Sequence, residues 1–385
     1  MKERVINFMK ILGKRRINML MLRSLSFRGL PNDVPALRPI VWRVLLGDLP
    51  RETAKWEAAL RQQRTSYEEW RKDLIVEPYL IDDGQPCTKL EHEFDHPLSV
   101  QPKSMWNKFF KDLELWEEIE KDVRRTRSDI SFFIEAVDSS KGQDKEQLRK
   151  QAEVKKAHLH GDLRLNYIET HADVLARILF IYGKLNPGVR YVQGMNEILA
   201  VLYYCFWPHD LASVKDDPFH EYFESDLFFC FTHIMAEVRD GFLRSMDNEP
   251  SGINGKIRTF AQLLLQIDPE LYYHLQEQNV NPQFFSLRWL MLLLSQEFDL
   301  GNVIKLWDTL LADSDRFQFL NYVCVSMVQI KRNVIMEGEF SDCMEALQRQ
   351  GHEREAERMI ALLNHSKKIA QKHTHKYDNF IEKLS

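Results

Sequence analysis

Apolar residues recur at helical spacing along most of this 385-residue chain, and no stretch alternates apolar and polar residues with period two. Turn-forming residues are also scarce: 15 glycines and 14 prolines fall below the roughly 12% of positions that average usage would give. With 44% hydrophobic and 28% charged residues, the chain has enough apolar material for a large core. The sequence therefore predicts an all-α globular protein without internal repeats.

The order of the helical segments predicts three regions: residues 1–28 with a basic amphipathic helix, a main domain over 29–336, and a helical extension over 337–385 packed on that domain. Helices are predicted at residues 36–49, 53–74, 106–120, 172–185, 195–206, 226–246, 253–264, 270–278, 282–296, 303–311, 317–336 and 354–371. Prolines and turn signals predict an irregular loop at 76–102. Seven basic and five acidic residues at 138–164 predict a solvated helix or a mobile insertion in the main domain.

The first helix has an apolar face and a basic face. The two faces carry Val5, Phe8, Met9 and Leu12 on one side and Arg4, Lys10 and Lys14 on the other. We predict that this helix packs on its own domain, because burial of one face is the usual origin of such a pattern. A basic amphipathic helix can also lie on an anionic membrane, so peripheral membrane association stays open.

The composition argues against several classes of partner. The net charge of −5 leaves no general polycationic surface, so nucleic acid is not an expected partner. The longest uncharged apolar run, residues 198–207, is half of the ~20 residues that a membrane span needs. Five cysteines without a Cys-x-x-Cys pair fit a reducing compartment, and we expect a cytoplasmic protein.

Sequence signatures of common active sites are missing. The chain has no phosphate-binding loop, dinucleotide fingerprint, zincin helix or nucleophile elbow, so we expect no nucleotide cofactor of its own. Histidines occur at His158 and His160, at His171, and at His373 and His375, without a second pair at ligand spacing. We predict that they are solvated surface side chains, and we expect no metal site.

Two short segments contain polar residues that invite a functional interpretation. In the first, Asp122 and Arg125 stand three residues apart where a helix runs into a loop. Spacing alone favours a surface salt bridge between them. In the second, Gln193 and Gly194 precede an apolar helix, where backbone N–H groups are free to meet a partner. The alternative is that Gln193 and Asn196 only cap the helix.

Together these segments resemble a known family. The pattern I-x-x-D-x-x-R at residues 119–125 and the pattern Y-x-Q-G-M-N at residues 191–196 are the paired signatures of the TBC-domain family of Rab GTPase-activating proteins. Further family blocks follow the same order: Arg38 with Trp42 and Leu45-Leu46, then Arg288-Trp289, Glu297-Phe298 and Leu306-Trp307-Asp308. The segment LNPGVRYVQGMNEI is similar to the member-thirteen branch of that family.

The resemblance implies an all-α domain with two helical lobes that form a V-shaped groove. It makes Arg125 an arginine finger and Gln193 a glutamine finger, both supplied in trans to a GTP-bound Rab-family small GTPase. A planar guanidinium suits the charge that spreads over the γ-phosphoryl oxygens, and an amide suits the attacking water. GTP and Mg²⁺ would be carried by the partner, and the chain would catalyse no reaction of its own.

The resemblance also assigns supporting roles. Tyr191, Gly194 and Asn196 would hold the glutamine loop against the GTPase. Asp122, Arg38 and Trp42 are expected as supports, and we predict an ion pair between Asp122 and Arg38 that fixes the loop bearing Arg125.

Two other functions stay open. A catalytically silent TBC-like scaffold would bind a GTPase or adaptor without hydrolysis, although both fingers are present in this chain. An unrelated helical interaction module would require all of the ordered motif matches to be coincidental. We expect an activator that regulates vesicle trafficking and is recruited to membranes through its Rab.

Overall fold

The computed structural model describes residues 2–75, 105–137, 169–208, 222–348 and 356–374. Sixteen α-helices and several short 3₁₀ turns form the regular structure of these ranges, which contain no β-strand. Two isolated antiparallel β-bridges join Arg16 to Glu52 and Ala136 to Thr170. The predicted all-α class is confirmed. The predicted loop at 76–102 and the predicted insertion at 138–164 lie outside the described residues.

The helices match most of the predicted segments. They are α1 Lys2–Leu12, α2 Met19–Ser26, α3 Leu37–Leu46, α4 Trp56–Leu74, α5 Met105–Val123, α6 His171–Leu185, α7 Met195–Phe206, α8 Phe223–Val238, α9 Ile253–Ile267, α10 Pro269–Glu277, α11 Gln283–Met291, α12 Leu300–Ala312, α13 Gln318–Ile330, α14 Arg332–Glu337, α15 Phe340–Gln348 and α16 Ala356–His373. The short helices α2 and α15 were not predicted.

Three predicted helices end well before their predicted last residue. The segment at 226–246 is α-helical only to Val238 and continues as short 3₁₀ turns. The segment at 317–336 is broken at Lys331 into α13 and α14. The segment at 282–296 is helical only to Met291, because Leu293 and Leu294 adopt left-handed backbone angles, with φ of 52° and 59°. Apolar periodicity cannot reveal such a turn, since both leucines are buried and fit the helical pattern.

The chain divides into two compact units. One unit is Arg64–Ala200, and the other combines Met1–Gln63 with Val201–Ser385. The predicted region boundaries after residues 28 and 336 stay predictions.

In the larger unit, the buried carboxylate of Asp308 on α12 joins distant parts of the chain. Its oxygens accept hydrogen bonds from Arg38 Nε at 3.0 Å, from Trp42 Nε1 at 2.8 Å and from the Leu30 backbone N–H at 2.8 Å. Burial raises the pKa of Asp308, and the charge of Arg38 opposes this shift. Asp308 thus fixes the segment before α3, and α3 itself, against α12.

A second buried ion cluster ties α3 to α8. Arg43 donates from Nε to Asp48 at 2.5 Å and from Nη1 to Asp226 at 2.7 Å. All three side chains are buried, so removing one of them would leave a charge without compensation inside the protein.

The first two helices form an antiparallel hairpin. Arg4 near the start of α1 donates to the backbone carbonyl of Gly29, just beyond the end of α2. Phe8 and Ile11 are buried on the inner face of α1, which confirms that the helix packs on its own unit. The predicted apolar face is corrected at Met9, which is exposed, while Ile11 takes its place in the core. Beside this hairpin, Lys367 of α16 places Nζ 5.1 Å from the ring centroid of Phe27.

In the smaller unit, α5 packs against α6. Trp116 and Phe180 meet edge to face, with 5.4 Å between their ring centroids. A capping box between Thr170 and Asp173 begins α6. His171 follows the cap and is buried with its ring stacked on Phe132, so the prediction that it is solvated is wrong. An aromatic neighbour from outside the helix decides its position, and this neighbour is invisible in local sequence.

Candidate functional site

Arg125 is the second residue beyond α5, in a turn that closes the helix. The Arg125 backbone N–H donates to the carbonyl of Asp122 at 3.0 Å, and the Thr126 N–H donates to Val123 at 3.1 Å. These tight bonds satisfy carbonyls that the end of a helix leaves open. The side chain of Arg125 is 70% exposed, and its Nη2 lies 2.6 Å from Asp122 Oδ1. The salt bridge favoured by the i, i+3 spacing is therefore present, on an arginine that faces solvent.

Arg124 differs from its neighbour in its local partner. Its Nη2 donates to Glu120 Oε1 at 2.8 Å, one turn back along α5. Glu120 is only half-buried and does not join the buried contacts described below. The two adjacent arginines thus have different acidic partners, Glu120 for Arg124 and Asp122 for Arg125, although both follow the same helix.

Gln193 lies in the short connection between α6 and α7. The connection begins with a turn at Asn186, whose carbonyl accepts from the N–H groups of Val189 at 3.0 Å and Arg190 at 2.7 Å. Gly194 has φ of 105°, a conformation that favours glycine because it has no Cβ. Gln193 is exposed, and its amide forms no hydrogen bond with another described residue. The side chain that the alternative interpretation assigned to capping is therefore available to a partner.

A buried hydrogen-bond network connects the two segments. The Tyr191 hydroxyl donates to Asp122 Oδ2 at 2.9 Å, with Asn196 Oδ1 as a second acceptor at 3.1 Å. Asn196 Oδ1 also accepts from the Gly194 N–H at 3.0 Å, which holds the backbone next to Gln193. Burial, and then the negative charge of Asp122, raise the pKa of Tyr191, so its hydroxyl stays a donor.

Two further residues support this region, and the sequence did not reveal them. Thr126 Oγ1 donates to the Asp122 carbonyl at 3.0 Å and accepts from Asn196 Nδ2 at 2.8 Å. Gly183 on α6 lets the loop approach closely, because a Cβ there would lie 3.3 Å from the Tyr191 nitrogen. Thr126 could have been found from the sequence, because it directly follows Arg125. No sequence signal points to Gly183.

The predicted ion pair between Asp122 and Arg38 is wrong. Arg38 makes a two-point ion pair with Asp308, with distances of 3.0 and 3.1 Å. The Asp122 oxygens instead accept from Arg125 and Tyr191. A buried carboxylate is stabilised by a nearby cation, and Arg38 supplies this cation to Asp308 on α12. Trp42 also contacts Asp308, so both predicted supports belong to the packing of α3.

Two kinds of feature are absent from the described ranges. No helix in them is long and apolar enough to cross a membrane. The same residues contain no group of three or more His, Cys, Asp or Glu side chains placed to hold a metal ion.

The sequence is similar to a known family and to known proteins. A family model of the Rab-GTPase-TBC domain matches residues 137–336, a range that includes Gln193 and begins after Arg125. The chain is 40% identical over 380 residues to TBC1 domain family member 13 of Homo sapiens, which covers 90% of this chain and 94% of that protein. The similarity to the member-thirteen branch is thereby confirmed.

More distant relatives include a protein from yeast. The chain is 26% identical over 329 residues to the GTPase-activating protein GYP1 of Saccharomyces cerevisiae, which covers 82% of this chain and 40% of that protein. Among solved structures, the Ypt/Rab-GAP domain of Gyp1p aligns with a TM-score of 0.69 at 23% identity, over 97% of this chain and 99% of that domain. At this identity the structural similarity shows a shared fold.

Proposed function

The chain belongs to the Rab-GTPase-TBC domain family, and on that premise we propose that it is a GTPase-activating protein for a GTP-bound Rab-family small GTPase. One observation carries the proposal. The exposed side chains of Arg125 and Gln193 stand on two segments that are joined by the buried network of Asp122, Tyr191 and Asn196. A rigid base under two exposed polar groups is what positioning in a partner's active site requires.

We assign Arg125 the role of arginine finger. Negative charge spreads over the γ-phosphoryl oxygens during hydrolysis, and a permanently charged guanidinium stabilises it. In the free protein the guanidinium is held by Asp122 Oδ1 and by the Lys121 carbonyl, which Nε reaches at 3.1 Å. Asp122 is anchored by Tyr191, so it can keep one end of the guanidinium while the other contacts the phosphate.

We assign Gln193 the role of orienting the attacking water. Its amide has both a donor and an acceptor, and neither is used by another described residue. The partner GTPase would carry GTP and Mg²⁺, and the chain would complete that active site without a cofactor of its own. An activator of this kind would act on vesicle trafficking from the cytoplasm and reach membranes with its Rab.

A phosphate-release screen tests the proposal. Purified Rabs loaded with GTP are mixed with the wild-type chain, with Arg125→Ala and with Gln193→Ala. We expect accelerated release with at least one Rab, and loss of the acceleration in both variants. Binding of both variants to that GTP-loaded Rab, without acceleration by the wild-type chain for any Rab, would instead identify a catalytically silent scaffold.

A further inference from the structure

The α1–α2 hairpin has an outer surface that the packing of the unit does not explain. Four large apolar residues of the hairpin are each 49–68% exposed. They are Ile6 and Met9 on α1 and Leu20 and Met21 at the start of α2. Ile6 and Met9 are three residues apart and lie on the side of α1 opposite the buried Phe8 and Ile11. Helix α1 is thus apolar on two sides, and only one of them is covered.

The charge around this surface is strongly one-sided. Residues 2–28 contain eight basic residues and one acidic residue, Glu3, in a chain whose net charge is −5. Three of the basic side chains have structural partners. Arg4 donates to the backbone at Gly29, Arg16 pairs with Glu52, and Arg23 donates to the Ala312 and Asp313 carbonyls.

Three other basic side chains have no such explanation. Lys10, Lys14 and Arg15 are exposed, and their side chains form no hydrogen bond or ion pair with a described residue. Lys10 lies one turn after Ile6 on the same face, and Lys14 and Arg15 stand in the connection between Met9 and Leu20. The exposed apolar residues are therefore bordered by cations that are available to an anionic partner.

We propose that the outer face of the α1–α2 hairpin docks on an anionic membrane surface. Its apolar side chains would enter the boundary between head groups and acyl chains, and its lysine and arginine side chains would meet the lipid phosphates. The inner face stays packed on the unit through Phe8 and Ile11, so docking requires no unfolding. This surface is independent of the fingers, and it would add a direct membrane contact to any contact made through a Rab.

Vesicle co-sedimentation tests the proposal without a GTPase. The full chain is mixed with 100 nm vesicles of phosphatidylcholine alone or with ~30% phosphatidylserine. We expect binding to the anionic vesicles that weakens as salt is raised. Ile6→Ser with Met9→Ser should reduce the partition coefficient at least about tenfold, since two apolar anchors are lost. Lys14→Gln with Arg15→Gln should reduce it about 30-fold.

Matched controls distinguish binding through this surface from nonspecific binding of exposed apolar or basic residues to vesicles. Ile330 and Val334 are equally exposed apolar residues on other helices, and Lys368 and Lys372 are exposed lysines of α16. Ile330→Ser with Val334→Ser, and Lys368→Gln with Lys372→Gln, should keep wild-type binding within about twofold, as expected for surface changes away from the contact.

Three outcomes would overturn the proposal. They are equal binding to neutral and anionic vesicles, no binding at all, and an equal loss in the control variants. A self-association of the wild-type chain that Ile6→Ser with Met9→Ser removes would assign the surface to a second copy instead. Phosphate release from a Rab in solution should not change in these variants, so failure here leaves the proposed activity untouched.

Discussion

The Tyr191 hydroxyl lies 2.9 Å from the Asp122 carboxylate, and this contact joins the connection before α7 to the last turn of α5. Both side chains are buried, and neither faces a partner directly. The contact therefore sets the positions of Arg125 and Gln193 from beneath the surface.

Replacing Tyr191 by phenylalanine removes this contact and leaves a buried carboxylate with fewer donors. We expect the free energy of unfolding to fall by roughly 1.5–3 kcal/mol, as for a hydrogen bond to a charged group. Stimulated hydrolysis should fall in its maximal rate more than in Rab affinity. Tyr273→Phe is the matched control, because Tyr273 is exposed, and it should leave both measurements unchanged. Equal effects of the two substitutions would contradict the network.

The choice between adjacent arginines is open to a direct comparison. Arg125→Ala should reduce stimulated hydrolysis by about 10³ to 10⁵, the contribution typical of an arginine finger. Arg124→Ala should keep most of the stimulation, since Arg124 is held by Glu120 outside the network. Melting temperatures of both variants should stay within a few degrees of the wild type, since the Arg125 side chain is 70% exposed and its ion pair contributes little. An inactive Arg124→Ala beside an active Arg125→Ala would reverse the assignment.

The role of Gln193 can be measured with a variant of the partner. A Rab whose own switch glutamine is changed to leucine should keep a substantial part of its stimulated hydrolysis, because Gln193 would orient the water in its place. Gln193→Ala should abolish stimulation and weaken binding to the GTP-loaded Rab much less. Wild-type turnover by Gln193→Ala would exclude the two-finger mechanism.

Two glycines near the loop offer a matched pair. A Cβ at Gly183 would lie 3.3 Å from the Tyr191 nitrogen, whereas a Cβ at Gly188 would meet nothing within 4 Å. We expect Gly183→Ala to shift the loop and lower stimulated turnover at least several-fold. Gly188→Ala should leave turnover and melting temperature as in the wild type. Equal turnover by the two variants would show that the approach of α6 does not position Gln193.

The half-buried amine of Lys367 predicts a dependence of stability on pH. Burial, and then the charges of Arg28 and Arg4, lower its pKa from 10.5 to about 8. Below pH 8 the lysine is charged in both states and destabilises the fold. Between pH 8 and 10.5 the folded protein loses this proton while the unfolded chain keeps it, so this group makes the free energy of unfolding rise with pH.

Lys367→Met should therefore stabilise the protein at pH 7 by roughly 1–3 kcal/mol, after the lost contact with Phe27 is included. The advantage should shrink above pH 8 and vanish near pH 10.5. Urea unfolding across this range measures it, with Lys368→Met as the control on the exposed neighbouring residue. A constant difference at every pH would contradict the explanation.

The sequence predicts what local patterns encode. Apolar periodicity locates α5, α6 and α7, and the paired motifs bring Asp122, Tyr191 and Asn196 to attention before any contact is known. Contacts between residues that are distant in sequence cannot be predicted from local patterns. Arg38 binds an acid 270 residues away, and only the fold identifies Asp308 as that acid. The role of Gly183 cannot be predicted for the same reason, since it depends on the close approach of the Tyr191 backbone.

The convergence of Leu30, Arg38 and Trp42 on Asp308 has a consequence for synthesis of the protein on the ribosome. Arg38 and Asp308 are 270 residues apart, so at ~5–20 residues per second the acid emerges about 15–50 s after the arginine. During that interval α3 cannot reach its final packing, and the apolar side chain of Trp42 has no place in a core. Helix α3 therefore stays without its final partner while most of the chain is made, and its apolar residues are open to chaperones during that time.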